Sequence, residues 1–150
     1  MTYDSRPETY EHIKEVRTNI NKVIYDLIDR ANRHDASKLV SPEVEAFDKL
    51  TPILKTLEYG SEEYQKNLDE LGVALEHHYA NNRHHPQWHE NGIKGMNLVD
   101  IVEMLCDWGA AVKRMNKGSI EESIEINQER FGYSDELKQI FYNTLPLLGE

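Results

Sequence analysis

Cysteine is almost missing from this 150-residue chain, where Cys106 stands alone. An intramolecular disulfide and a thiolate zinc cluster are therefore excluded, and a lone thiol suits a reducing compartment. Long apolar runs are missing as well: nothing approaches the roughly 18 residues of a membrane span. The opening segment Met1-Thr2-Tyr3-Asp4-Ser5-Arg6-Pro7 lacks the apolar core of a signal peptide. A soluble, cytosolic protein is expected. Basic residues are scarce, with 17 Lys and Arg against 27 Asp and Glu and a formal charge of −10. That balance disfavours sequence-independent binding to DNA or RNA, which needs a basic surface. It leaves room for a small phosphorylated ligand, a nucleotide among them, held with the help of a metal.

What is present reads as helix. The length fits a single domain, 1–150, with a core that needs no staples. Ile13, Val16, Ile20, Val23, Ile24, Leu27 and Ile28 recur at three- and four-residue spacing and predict a first amphipathic helix. Ser41-Pro42-Glu43 predicts a helix start with Ser41 as cap, and Pro52 a kink or break further on. After Tyr59-Gly60-Ser61, one helix is expected to run through Tyr64, Leu68, Leu71 and Leu75 into a histidine cluster. Residues 86–95 predict a long loop. Asn97 is expected to cap a strong helix reaching about Lys117, and shorter helices are expected over 119–130 and 134–145. The fold class is all-α, a bundle of about six helices.

Histidine is concentrated. Of seven, six fall in two clusters: His34 within Arg33-His34-Asp35-Ala36-Ser37-Lys38, and His77, His78, His84, His85 and His89 within thirteen residues. Imidazole is the commonest protein metal ligand, and beside carboxylates it points to a metal site. His12 shares a helical face with Val16, Ile20 and Val23, so it is expected to point inward. Asp100, Glu103 and Asp107 line one face of a predicted helix, and Arg114 continues that stripe one heptad beyond Asp107. A solvated face accounts for Asp100. It does not account for Asp107, which stands between Cys106 and Trp108 in the least polar part of the helix and needs a charge partner there. On a continuing helix His77 would share a face with His84, and His78 with His85, so only one pair would face the interior.

His12, His34-Asp35 and Asp107, in that order, resemble the HD superfamily of metal-dependent phosphohydrolases. His34-Asp35-Ala36-Ser37-Lys38 is similar to the His-Asp-x-x-Lys version of its motif. The later histidines are similar in kind to those that bind a second ion in HD-GYP-type members, although the Gly-Tyr-Pro signature is absent. A closer resemblance is to a family of small bacterial and phage proteins described only as a domain of unknown function. It rests on His34-Asp35-Ala36-Ser37-Lys38-Leu39, Tyr59-Gly60-Ser61-Glu62-Glu63-Tyr64, His77-His78-Tyr79-Ala80-Asn81-Asn82-Arg83-His84-His85-Pro86, Glu103-Met104-Leu105-Cys106-Asp107-Trp108 and the stretch from Ser123 to Phe131.

The HD resemblance implies an HD-like bundle with one or two divalent ions (Fe, Mn, Co, Ni or Zn). The first would be held by His12, His34, Asp35 and Asp107. A second would share Asp35 and draw on His77, His78, His84 and His85. Hydrolysis of a phosphate ester is the implied reaction. Lys38 and Arg83 would meet the phosphoryl charge, and Glu103 or Glu43 would orient water or a ligand histidine, although for Glu43 a place in the first turn of a helix is explanation enough. The rival expectations are a protein that sequesters a nucleotide or partner without turnover, and a purely structural metal site.

Overall fold

The computed structural model describes residues 3–58, 60–114 and 118–149. Secondary structure among them is helical, with no strand. The chain divides into two compact units, Met1–His34 and Asp35–Glu150. None of the described helices is long and apolar enough to cross a membrane.

The first unit is a single long helix, α1 (Arg6–Arg33), with Pro7 in its first turn. The predicted stripe is there, and within this unit no other element covers Ile13, Val16, Ile20, Val23 and Ile28. His12, expected to point inward, lies on this helix, and nothing within the unit covers it. Periodicity reports which face of a helix is apolar. It carries no information on whether anything covers that face.

In the second unit, α2 (Glu43–Leu54) starts without the expected Ser41 cap. The Val40 carbonyl instead accepts from the Glu43 and Val44 amides. Pro52 is accommodated in the last turn, so α2 ends two residues later without an interior break. The single helix expected after residue 61 is two, α3 (Glu62–Asp69) and α4 (Gly72–Asn81). Gly72, at φ +42°, turns the chain where an L side chain would be strained. Tyr59 lies outside the described residues. The predicted loop over 86–95 is present, with two 3₁₀ turns, Pro86–Trp88 and Gly92–Gly95.

α5 (Leu98–Arg114) is capped as expected: Asn97 Oδ1 accepts from the Asp100 amide, and Asp100 Oδ2 accepts from the Asn97 amide. The expected extension to Lys117 lies outside the described residues. α6 (Ile120–Phe131) opens on a Ser119–Glu122 capping box, and α7 (Asp135–Leu148) on Ser134. Together α5, α6 and α7 enclose the core: Met104, Leu105, Trp108, Ile120, Ile124, Tyr133, Phe141 and Leu145. Phe141 meets Trp108 and Tyr133 edge-on, at 5.6 and 5.2 Å between ring centres. Gly109 lets α5 and α6 approach, since a Cβ there would lie 3.3 Å from Ile120. Each large side chain buried this way contributes about 1.5–3 kcal/mol, and this packing fixes α5 as a rigid wall for the site.

Candidate metal centre

Asp35 opens the second unit in the left-handed conformation, φ 54°, the sole non-glycine residue among those described with positive φ. Aspartate tolerates this region better than most residues. The turn Ala36–Leu39 follows at once and folds Lys38 back, so that its Nζ lies 2.6 Å from Asp35 Oδ2. The other oxygen, Oδ1, is thereby directed at the histidines.

α4 stops at Asn81, and Asn82 is extended. The helical phase that would have paired His77 with His84 and His78 with His85 is lost at that point. His78 from the last turn of α4 and His84 and His85 from the loop beyond come together instead. Asp35 Oδ1 is 3.4 Å from His78 Nε2 and 3.5 Å from His84 Nε2. His78 Nε2 and His85 Nε2 are 2.9 Å apart. Asp35, His78, His84 and His85 can each offer one ligand atom with all four within 4.8 Å of one another. Both His78 and His84 are almost wholly buried.

Carboxylates behind the rings set their tautomers. Glu43 is fully buried and accepts from His78 Nδ1 at 2.9 Å, His77 Nδ1 at 2.6 Å and Ser37 Oγ at 3.0 Å. Burial by itself would raise the Glu43 pKa. The hydrogen bonds from His77, Ser37 and His78 outweigh it and hold the group ionised, below its ordinary value. Glu103 Oε1 stands 3.1 Å from His84 Nδ1 in the same relation. With a proton on Nδ1 of each ring, Nε2 of His78 and of His84 presents a lone pair toward Asp35. Burial also pushes the His78 pKa down, and pushes His85 down to about 2 with the nearby His84 and His78 adding to the effect. His78 and His85 are thus favoured as neutral donors.

This arrangement fits a cation. Carboxylate oxygen and imidazole lone pairs repel when they converge with nothing between them. Two ligands about 2.1 Å from one ion lie about 3.0 Å apart at a right angle and about 3.4 Å apart at the tetrahedral angle. The observed separations of 2.9, 3.4 and 3.5 Å fall on those two values. Histidine donors whose far nitrogen is held by a carboxylate are the usual pattern of protein metal sites.

The remaining sequence-predicted residues are placed as follows. Asp107 is half-buried, with Oδ2 3.9 Å from His84 Nε2. His77 faces Glu43, outside the four-ligand group. His12, on α1, and His34, at its end, belong to the first unit. Arg83, expected to meet substrate, makes a two-pronged bond to Asp100 at 2.8 and 3.0 Å and lies over the Trp88 ring. Asp100, read as a solvated position, is completely buried in that pair because it also caps α5. Sequence reasoning missed Ser37 and Asn82, which link the turn after Asp35 to Glu43 and His78. A small polar residue two positions after Asp35 is too common a signal to have identified the link.

The cluster opens on a cavity of about 360 Å³ within the second unit. Its lining includes Phe47, Tyr64, Tyr79, Trp108 and Phe131 beside His78, His85 and Asp107. Lys38, Lys55, Arg114 and Arg130 also line it, and Asp107 is the one acidic residue among the described residues that does so. In a chain with 27 acids and 17 bases, the charge balance is locally reversed around this cavity.

Compared with known proteins, the chain matches the model of a family of unknown function, DUF5662, over residues 1–147. No curated protein and no solved structure matches it.

Proposed function

The chain belongs to DUF5662, and for this member we propose metal-dependent hydrolysis of a small phosphate ester, a nucleotide or a related aryl-bodied compound. The observation that carries the reading is the convergence of Asp35, His78, His84 and His85 at the edge of a cavity lined by four cationic side chains. Three imidazoles and a carboxylate suit a first-row transition ion such as Zn, Mn, Fe, Co or Ni better than Mg or Ca. Once bound, the ion supplies Lewis acidity toward water and the phosphoryl oxygens. This is the ligand set that the likeness to HD phosphohydrolases assigns to an ion sharing Asp35, here without His77.

The protein's own groups do the rest. Glu43 and Glu103 hold His78 and His84 in the donor tautomer. Lys38 aims Asp35 through its outer oxygen, and its ammonium, 5.0 Å from the centre of the Phe47 ring, faces the cavity. There it meets the negative charge that builds up as the ester P–O bond breaks. Asp107, on the cavity wall beside His84, accepts the proton given up by the attacking water. Aromatic walls bury the organic part of the ester.

The test is elemental analysis of protein purified without a histidine tag, followed by a screen of phosphomonoesters, phosphodiesters and nucleotides with Mn, Co, Ni, Fe and Zn added in turn. Lys38→Ala is expected to keep one ion per chain and to lose about a hundred- to a thousandfold in kcat. Full metal content with no turnover of any ester, alongside tight nucleotide binding, would replace hydrolysis with sequestration. Unchanged kcat in Lys38→Ala would remove the role given to that lysine.

A further inference from the structure

Most arginines whose contacts are described are engaged by an aspartate: Arg6 by Asp4, Arg33 by Asp29 and Arg83 by Asp100. Arg114 and Arg130 differ. Both line the cavity, both are exposed, and neither pairs with a carboxylate among the described residues. Arg130 rests over the Phe131 ring at 4.8 Å and reaches the Tyr79 hydroxyl at 3.5 Å.

Two independent routes tie them to the metal end of the cavity. Arg114 is seven residues beyond Asp107 on α5, hence on the same face and about 10 Å along the axis. Arg130 is placed by Tyr79, whose ring packs against His85 at 5.0 Å between centres while its hydroxyl meets the guanidinium. Arg130 is thereby linked to His85 through the Tyr79 side chain. From different helices, the two arginines line the same cavity as His78 and His85, with Tyr79, Trp108 and Phe131 also in its wall.

We propose that Arg114 and Arg130 form a second anion-binding end of this cavity, and that its ligand is an aryl-bodied phosphate ester with a second anionic group roughly 10 Å from the metal cluster. The proposal rests on the phosphoester reading of the metal end. Guanidinium is suited to the role because its planar donors grip carboxylate or phosphate in pairs. A cavity of about 360 Å³ accommodates a ring with a charged arm at each end, near the lower bound of small-molecule sites. The second anion also gives selectivity: an ester without it leaves the two cations in the cavity wall without a counter-charge.

The test uses two aryl phosphates of the same shape, 3-(4-phosphonooxyphenyl)propanoate and its propanamide, titrated calorimetrically into metal-loaded Asp107→Asn protein to slow turnover. The carboxylate is expected to bind at least about tenfold more tightly than the amide, as for one charge-assisted contact. In a further Arg114→Gln/Arg130→Gln variant the two probes should bind equally, with metal content and melting temperature unchanged. Both positions are exposed, so the fold is not at risk. Equal, tight binding of both probes to the protein with its arginines intact would overturn the second anion end and leave the metal end standing. A preference that survives the double arginine variant would also overturn it. Binding of neither probe to fully metal-loaded protein would overturn both this proposal and the phosphoester reading beneath it.

Discussion

Alanine at Asp35 or at His84 is expected to abolish stoichiometric metal binding, while alanine at His89 leaves it intact. Asp35 Oδ1 is the atom on which the histidine nitrogens converge, and His84 is buried with its far nitrogen held by Glu103. Loss of a carboxylate or carbonyl that merely supports a ligand typically lowers metal affinity about ten- to a hundredfold. Loss of a ligand itself should exceed that range, so affinity should fall by more than about a hundredfold. His89 instead faces the Arg83 carbonyl, away from the four-ligand group. Elemental analysis of the three variants, purified without a tag and dialysed against the same metal buffer, decides the matter. Equal metal content in all three would eliminate the site.

The second large effect belongs to Glu43. Its carboxylate is fully buried and accepts from His77, His78 and Ser37. Glu43→Ala removes the acceptor and leaves those donors facing a dry gap. Breaking a buried charged network in this way destabilises by about 3–5 kcal/mol. Metal affinity should fall about ten- to a hundredfold as well, because His78 is no longer fixed in its donor tautomer. Glu43→Gln keeps the volume and one acceptor oxygen, so it should recover most of the stability and only part of the affinity. Urea unfolding gives the first quantity and metal titration the second. A stability loss under about 1 kcal/mol with unchanged affinity would show that Glu43 supports neither fold nor site.

How much of this was legible in the sequence can be judged at particular residues. The α5 helix, its Asn97 cap and its rigid apolar side follow directly from spacing, as do the helices after Ser119 and Ser134. His78, His84 and His85 were recognisable as donors by density alone. Their grouping was not, because it depends on where α4 stops: with the helix ended at Asn81, neighbours in space are no longer neighbours at seven-residue spacing. Glu43 was misleading for a related reason. A glutamate in a first turn satisfies the helix dipole wherever it points, and only tertiary packing turned this one inward. Asp100 shows the converse. An acidic stripe on an amphipathic helix looks solvated until a distant arginine closes over one member of it. Arg114 was visible as the continuation of the Asp107 stripe, but its meaning required the cavity.

The left-handed backbone at Asp35 sets two demands against each other at one position. Steric ease there favours glycine, whereas the chemistry requires a carboxylate. Two variants that both lack the carboxylate separate the demands. Asp35→Gly should fold about 1 kcal/mol more stably than Asp35→Ala, with neither binding metal. Equal unfolding free energies would mean that the backbone at this joint is relaxed. The strain also implies something about capture kinetics. A donor pinned by its own backbone and by Lys38 has few conformations left to lose when an ion arrives, so most of the ordering is completed during folding. Ion uptake by the folded protein should then resemble filling a rigid socket, with little change in amide hydrogen exchange around residues 35–39 before and after loading.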